Sequence, residues 1–407
     1  MSGPTKRICF LAYNGATHAK LFIRLKQAMP PGMSGEIKSI YRLTPLSLLY
    51  SRSMPSDVPT EVFDKITAYY VRKKILANPR LDTERWRARV RKRGIQWYRL
   101  FLRELGDVDM LVMWTGGFAV PYAAATAAAR RLGKPVAFCE NGVLPGTLAI
   151  DPEGANYRCS LTGKDADFYR SFPYDPDQAE KLYATAWPQR PLRYGQTMTE
   201  ENKPLPPRYL LYAMQVNRDS QIREFSPRFR NMWESVAYVY QQLQEYNRRT
   251  GDSMSLVVKE HPSESKRIDY TGLRAELSDA IFLRATPIRD LIRDAQCLVT
   301  INSSVGVEAL FSDIPVVTLG QAFYNVPGLV RNLALDEDLA DILPSLLSEP
   351  LDRELRRHFL CFLYNDYLVP RPDRDPSGAE RAIRRLEEIL TGNLSWRHRY
   401  ELLTRTT

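Results

Sequence analysis

Short apolar runs alternate with longer amphipathic stretches along most of this chain. In its first half the apolar runs predict strands near residues 8–12, 36–41, 110–114 and 135–139. Helical periodicity occupies the intervals near 18–30, 60–77, 83–104 and 121–132. Because strands and helices alternate, we predict a parallel sheet covered by helices.

The same alternation starts again in the second half. It predicts strands near 208–216, 255–259, 281–284, 297–301 and 314–319, and helices near 229–248, 287–295, 305–312, 338–347, 352–366 and 376–391. Between the halves, periodicity is weak from about 141 to 206, and the proline cluster at 203–207 is typical of an interdomain linker. We therefore predict an α/β protein with Rossmann-like domains at 1–205 and 206–350, and helices at 351–407 that pack back on them.

Composition is that of an ordinary globular protein, with 407 residues, 44% hydrophobic and 26% charged. The five scattered cysteines predict buried free thiols, most clearly Cys9, Cys139 and Cys297, which lie in apolar runs. The first apolar run is too short for a signal peptide, so we expect a cytoplasmic protein. Residues 111–129 are nearly free of charge, but glycines and Pro121 interrupt them, which favours a strand, a turn and a helix over a membrane span.

The formal net charge of +10 comes mainly from arginine. Basic residues concentrate between Arg85 and Arg103, interleaved with Trp86, Trp97 and Tyr98. Such a helix is typical of proteins that lie on an anionic membrane surface, and equally of a solvated helix face. Peripheral attachment to the inner membrane therefore stays open. We expect no nucleic-acid partner, because no recognition motif accompanies the charge.

Polar side chains follow three of the predicted strands of the second half. The first strand leads into Gln215, Asp219, Ser220 and Gln221 within residues 214–222, the second into Lys259 and His261, and the third into Asn302, Ser303 and Ser304. Ligands of open α/β sheets bind at the carboxyl ends of the strands. We expect these three polar groups to converge on one site.

The segment from Asn302 to Glu308 joins a strand to an apolar helix. Ser303 or Ser304 can cap that helix, and its free backbone N–H groups would attract an anion, with Gly306 allowing close approach. On their own, these residues favour a plain helix cap. With the positive charge of Lys259 and His261 nearby, the pattern favours a phosphate site.

A further carboxylate, Glu140, ends a strand of the first half in Glu140-Asn141-Gly142. Together with Asp219 it would supply the pair of carboxylates that glycosyl chemistry uses, one as nucleophile and one as acid or base. A surface turn is the alternative interpretation of Glu140. The sequence therefore predicts a sugar-processing site with one carboxylate from each half.

Six segments between residues 109 and 330 carry a resemblance. They are ENGVLPGTLAIDPEGAN, DFYRSFP, MQVNRDSQI, VVKEHP, TINSSVGVEAL and GQAFYNVPGL, in this order. The set resembles the bacterial β-Kdo glycosyltransferases of capsule and lipopolysaccharide assembly, where Kdo is 3-deoxy-D-manno-octulosonic acid. The family pattern E-x-G-[YF]-L-R-P starts here at Glu140, and Pro145 stands where the arginine is usual.

The resemblance implies a GT-B-like glycosyltransferase, with two Rossmann-like domains facing a cleft and CMP-Kdo as the donor. It implies retention of the β anomer by double displacement, with Asp219 as nucleophile and Glu140 as acid or base. His261, as a catalytic residue, and Lys259 would steady the departing CMP phosphate. The other implied donor-binding residues are Gln215, Ser220, Gln221, Asn302, Ser303, Ser304, Gly306 and Glu308.

The partners implied are CMP-Kdo, a lipid-linked or oligosaccharide acceptor, and the polysaccharide assembly and export machinery. We expect no metal or cofactor, because neither the four histidines nor the five cysteines show ligand spacing. Acceptor-side candidates are Asn14-Gly15 and Thr115-Gly116-Gly117, which end strands of the first domain. Two alternatives stay open: a CMP-sialic acid-dependent sialyltransferase, and a non-catalytic polysaccharide export or binding protein.

Overall fold

The computed structural model describes residues 4–12, 16–43, 64, 67, 83–114, 119–185, 204–217, 219–264 and 268–405. The chain divides into two compact units. The first contains residues 1–142, 146–160 and 367–402, and the second contains residues 143–145, 161–366 and 403–407. Each unit is built on its own sheet, so the predicted α/β class with two Rossmann-like domains is confirmed.

In the first unit, a six-stranded sheet has the order β12-β5-β4-β3-β1-β2. The strands are β1 (Lys6–Ala12), β2 (Met33–Ser39), β3 (Met110–Trp114), β4 (Val136–Asn141), β5 (Thr147–Asp151) and β12 (Val369–Pro370). β1 to β4 pair in parallel, whereas β5 is antiparallel to β4 and β12 is antiparallel to β5. The helices of this part of the chain are Ala16–Gln27, Thr83–Glu104, Val120–Arg131, Pro376–Thr391 and Ser395–Arg405.

Small residues explain how the helices cover this sheet. Ala124, Ala125 and Ala128 are fully buried in the helix Val120–Arg131, against the buried aromatic residues Tyr98 and Phe101 of the helix Thr83–Glu104. Among the described residues, no helix is long and apolar enough to cross a membrane. The described parts of the apolar stretch at 111–129 lie in β3 and in the helix Val120–Arg131 with its N-cap residue Ala119, as predicted.

In the second unit, a six-stranded, all-parallel sheet has the order β11-β10-β9-β6-β7-β8. The strands are β6 (Tyr209–Ala213), β7 (Ser255–Lys259), β8 (Ile281–Leu283), β9 (Cys297–Thr300), β10 (Val316–Thr318) and β11 (Arg331–Asn332). Counted from β6 as strand 1, this is the dinucleotide-binding order 3-2-1-4-5-6. The helices are Ala166–Arg170, Pro176–Thr185, Ser220–Phe225, Met232–Thr250, Thr271–Glu276, Ile288–Asp294, Val305–Ala309, Leu339–Ser348 and Arg353–Phe362.

The division of the chain differs from the predicted one. Residues 161–185, expected in the first domain, pack in the second unit, where Phe168 and Phe172 lie against Phe362 at ring-centroid distances of 5.3 and 4.6 Å. The chain returns to the first unit at Tyr367. The proline cluster is therefore not the boundary, because its described part leads into β6 within the second unit.

Smaller differences concern element ends. The second strand was expected at 36–41 and runs from Met33 to Ser39, because its full length pairs with β1. The tail contains a third helix, Ser395–Arg405. The helix predicted at 60–77 falls mostly outside the described residues. All five cysteines are free and buried, as expected, and burial raises the pKa of the Cys9 thiol to about 12.

Candidate functional site

The predicted polar groups of the second unit follow three neighbouring strands, with β6 between β9 and β7. The strand order reverses between β6 and β9, which is the switch point at which ligands of such sheets bind. Two residues face each other there. The Gln215 amide donates from Nε2 to Oδ1 of Asn302 at 2.9 Å, and its Oε1 accepts from the Asn302 backbone N–H at 3.1 Å.

The Asn302 side chain also forms hydrogen bonds with two other segments at the switch point. Its Nδ2 donates to the carbonyl oxygens of Gln221 and Gln321, both at 3.2 Å. Gln221 Nε2 is a buried donor that has no hydrogen-bond partner among the described residues. Since buried polar groups are nearly always paired, this amide is well suited to bind a ligand.

Asp219 occupies the N-cap position of the helix Ser220–Phe225. Its Oδ1 accepts from the Gln221 backbone N–H at 2.9 Å. The preceding turn is held by a buried carboxylate, because Glu264 accepts from the Asn217 backbone N–H at 2.7 Å and from the Tyr270 hydroxyl at 3.3 Å. The carboxylate predicted as nucleophile is thus also a helix cap at the switch-point edge, and its helix begins at Ser220.

Lys259 and His261 follow β7, as predicted. The Lys259 side chain is only 8% exposed, and its ammonium donates to the carbonyl oxygens of Glu260 and Arg284. His261 is partly exposed, and its Nδ1 accepts from the Ser263 backbone N–H at 3.1 Å. Because Nδ1 is an acceptor, the neutral imidazole carries its hydrogen on Nε2. His261 is therefore the better placed of the two to donate to a phosphate oxygen.

The N–H groups that begin the helix after Ser304, those of Val305, Gly306 and Val307, have local partners and are not the free donors that were expected. The helix Val305–Ala309 has a single turn. The Ser303 hydroxyl oxygen accepts from the Val305 N–H at 3.3 Å, and the Ser303 carbonyl oxygen accepts from the Gly306 N–H at 3.0 Å. Ser304 occupies the N-cap without a side-chain cap bond. The prediction of free N–H groups is wrong, because a one-turn helix satisfies them locally.

The structure also shows a steric reason for a glycine at position 306, and it differs from the predicted reason. A Cβ atom at this position would lie 2.6 Å from the Tyr324 hydroxyl oxygen. The same hydroxyl donates to the Ser303 carbonyl. The glycine therefore makes room for Tyr324, which holds the Ser303 segment. Glu308 is 7% exposed in the same helix turn.

In the first unit, Glu140 lies at the end of β4. Its Oε1 accepts from the Asn141 backbone N–H at 2.9 Å and lies 3.5 Å from Asn141 Nδ2. Although Pro145 replaces the arginine of the familiar pattern, a guanidinium reaches this turn from elsewhere in the sequence. Arg371 donates from Nη1 to Oδ1 of Asn141, and its backbone N–H donates to the Gly146 carbonyl at 2.9 Å.

Two further residues of this edge escaped the sequence analysis. His18 stacks on Trp114, with ring centroids 4.2 Å apart, and the Arg371 guanidinium carbon lies 6.0 Å from the Trp114 ring. A lone histidine in a helix and a tryptophan at the last position of an apolar strand carry no spacing signal. The predicted acceptor residues Asn14-Gly15 and Thr115-Gly116-Gly117 lie outside the described residues.

The basic segment is exposed only in part. Arg85, Arg87, Arg89, Arg91 and Lys92 are exposed in the first half of the helix Thr83–Glu104. In its second half Trp97, Tyr98 and Arg99 are at most 9% exposed, because they pack in the core. The surface that could meet a membrane is therefore the segment 85–93, shorter than predicted.

Comparisons with known proteins agree with the resemblance found in the sequence. Residues 174–349 match the family model described as "Capsule polysaccharide biosynthesis protein". Protein FixF of Sinorhizobium fredii is 33% identical over 242 residues, which cover 60% of this chain and 56% of the relative. The capsule polysaccharide export protein KpsS of Escherichia coli is 32% identical over 130 residues, which cover 30% of this chain and 32% of the relative.

The chain thus spans about half the length of FixF and about a third of KpsS. Among solved structures, KpsC of Thermosulfurimonas dismutans, a beta Kdo 2,7 transferase, superposes with a TM-score of 0.46 and 16% identity. That alignment covers 94% of this chain and 98% of the other. The resemblance to capsule polysaccharide biosynthesis proteins is confirmed for the segment that the family model matches.

Proposed function

We propose that this chain, whose residues 174–349 relate it to the capsule polysaccharide biosynthesis proteins, is a retaining β-Kdo glycosyltransferase that uses CMP-Kdo. The observation that supports this most is the Gln215–Asn302 pair at the β6/β9 switch point. Asp219 and the Gln221 side-chain amide, which has no partner in the described part of the chain, follow β6 at the same sheet edge. A nucleophile and ligand donors are thus presented together where α/β sheets bind nucleotides.

The first step would form a covalent intermediate on Asp219. A carboxylate oxygen bonds to the anomeric carbon of Kdo while the bond from that carbon to the phosphate oxygen breaks, and CMP leaves with the electron pair. His261 Nε2–H would donate to the phosphate, and the charge of Lys259 would stabilise it from the neighbouring strand end. The hydroxyl groups of Ser303 and Ser304 complete the proposed phosphate contacts.

The second step would release the sugar to the acceptor. An acceptor hydroxyl oxygen bonds to the anomeric carbon, the bond to Asp219 breaks, and its electron pair returns to the carboxylate. Glu140 would take the hydroxyl proton as general base. Two displacements at one carbon restore its configuration, which gives net retention. The remaining donor-site residues, Gln215, Ser220, Asn302, Gly306 and Glu308, would shape the pocket.

Donor identity is tested by incubating the protein with CMP-Kdo and, in parallel, with CMP-sialic acid. The assay measures CMP release with and without a panel of lipid-linked saccharides. We expect release from CMP-Kdo and transfer of Kdo with a β linkage, read by NMR. Preferred turnover of CMP-sialic acid would identify a sialyltransferase, and no turnover of either donor would favour a non-catalytic export or binding protein.

We further propose that the protein lies at the cytoplasmic surface of the inner membrane, held by the basic segment 85–93. Its acceptor would be a lipid-linked or oligosaccharide product of the polysaccharide assembly machinery. The five exposed basic residues of this segment support membrane attachment, because anionic lipid attracts each Lys or Arg near the surface.

A further inference from the structure

The first sheet has a switch point of its own. Counted from β1, its parallel strands have the order 2-1-3-4, so the reversal lies between β1 and β3. Flavodoxin-like sheets with this order bind their ligand at that crevice. His18, in the helix that follows β1, stacks there on Trp114, the last residue of β3.

The polar groups at this edge form a connected chain. Arg371 donates to Asp373 from Nε at 2.9 Å and from Nη2 at 3.2 Å, which fixes its guanidinium plane. Its Nη1 donates to Asn141 Oδ1, so the Asn141 amide turns its NH2 group toward Glu140 Oε1, 3.5 Å away. Arg371 and Asn141 thus determine the direction of the Glu140 carboxylate.

His18 differs chemically from an ordinary surface histidine. Burial lowers the pKa of its imidazole, and the nearby charge of Arg371 lowers it further. A neutral imidazole both donates and accepts a hydrogen bond, which suits a sugar hydroxyl. The Arg371 charge is already paired with Asp373, so the edge offers hydroxyl recognition rather than a free cation for an anionic group.

We propose that the β1/β3 edge of the first unit is a binding site for the hydroxyl-bearing end of a saccharide acceptor. His18 contacts the incoming hydroxyl, and Arg371 and Asn141 are positioning residues for Glu140. This inference rests on the proposed function, because it concerns the step in which the acceptor hydroxyl takes Kdo and gives its proton to Glu140.

The test separates the two steps by mass spectrometry. The full chain is mixed with CMP-Kdo, and the Kdo–protein adduct is followed as it forms and as it decays in water or in added glycerol. The variants are Arg371→Gln, His18→Gln and Asn141→Ala, the last at an exposed position that does not threaten folding. Arg385→Gln is the control, because Arg385 is also buried, bonds Glu388 at 2.9 Å and is not among the residues placed at this edge.

We expect all three site variants to form the adduct at the wild-type rate and to lose it more slowly. The slowing should be roughly ten-fold or more for Arg371→Gln and Asn141→Ala, which remove a charge-assisted bond, and roughly two- to ten-fold for His18→Gln, which removes a neutral one. The control should behave as wild type in both phases. The inference is overturned if decay is unchanged in the three variants, or if formation and decay slow equally. If the wild type forms no adduct and releases no CMP, the proposed function itself is wrong. The proposed acceptor site is then wrong as well, because it depends on that function.

Discussion

Gln215 and Asn302 are joined by two hydrogen bonds across the point where the strand order of the second sheet reverses. One partner follows β6 and the other follows β9, although 87 residues separate them in the sequence. Asn302 also donates to the carbonyl oxygens of Gln221 and Gln321. The pair therefore fixes the floor of the proposed donor site before any ligand binds.

We predict that Asn302→Ala destabilises the protein by about 2–3 kcal/mol, because it leaves the buried Gln215 amide without its acceptor and removes the bonds donated to the carbonyl oxygens of Gln221 and Gln321. A double-mutant cycle with Gln215→Ala should give a coupling energy of at least about 0.5 kcal/mol. Urea unfolding of the four proteins measures both quantities. Additive effects of the two substitutions would show that the pair does not act as a unit.

A second prediction separates the roles of His261 and Lys259. His261→Ala should weaken CMP binding roughly ten-fold or more with little effect on unfolding, because the ring is partly exposed and its proposed role is to donate to the CMP phosphate. Lys259→Ala should weaken CMP binding and also lower stability, because the Lys259 ammonium holds two backbone carbonyls. Calorimetric titration with CMP measures the affinity of each variant, and urea unfolding measures its stability. Equal effects of the two substitutions on both quantities would contradict these assignments.

Sequence patterns were sufficient for nine of the twelve described strands and for the polar ends of β6, β7 and β9, because apolar runs and polar strand ends are local signals. They missed β5, β11 and β12, of which the last two contain only two residues each. Sequence patterns were insufficient for contacts between residues that are far apart in the sequence and meet only in the folded chain. Arg371 and Asn141 are 230 residues apart, and nothing in either segment marks the contact. The predicted boundary between the two units was wrong for the same reason. Phe168 and Phe172 pack on the distant Phe362, so residues on both sides of the proline cluster belong to the second unit.

The third prediction concerns pH. The folded state keeps His18 neutral below its ordinary pKa of 6.5, so the unfolded chain binds the proton more readily. The stability that His18 contributes is therefore full above about pH 6.5 and decreases as the pH falls below it. His18→Gln should remove this component from the pH dependence of the unfolding free energy.

NMR titration gives a direct check of the same environment. Arg371→Gln should raise the pKa of His18 toward 6.5, because one of its two lowering causes is removed. Arg371→Lys, which keeps the charge, should shift it less. An unchanged His18 titration in Arg371→Gln would mean that the two side chains do not interact in solution.

The fourth prediction is that salt weakens membrane binding. Basic residues near anionic lipid contribute roughly 1 kcal/mol each, and salt screens this attraction. Changing Arg87, Arg89 and Arg91 to Gln should reduce flotation with anionic vesicles at low salt. Changing Arg248, Arg293 and Arg384, which are also exposed and ion-paired but lie outside the segment 85–93, removes the same charge and should have little effect. Equal losses in the two triple variants, or equal binding to neutral vesicles, would contradict a localised electrostatic surface.

Asp219 allows the sharpest separation of structural and chemical roles, because it caps a helix and is the proposed nucleophile. Asn caps helices as well as Asp does but cannot form the glycosyl ester, so Asp219→Asn keeps the cap and removes the chemistry. Asp219→Ala also removes the cap and should cost about 1 kcal/mol of stability. Asp165→Asn is the matched control, since Asp165 caps the helix Ala166–Arg170 of the same unit.

The most direct measurement is the intact mass of the protein after exposure to CMP-Kdo, with the modified residue located by peptide mapping. We expect one added Kdo on Asp219 in the wild type and in Asp165→Asn. We expect none in Asp219→Asn, whose transfer rate should fall by orders of magnitude while its stability and CMP affinity persist. Near wild-type transfer by Asp219→Asn, or an adduct on another residue, would contradict the assignment of Asp219 as the nucleophile.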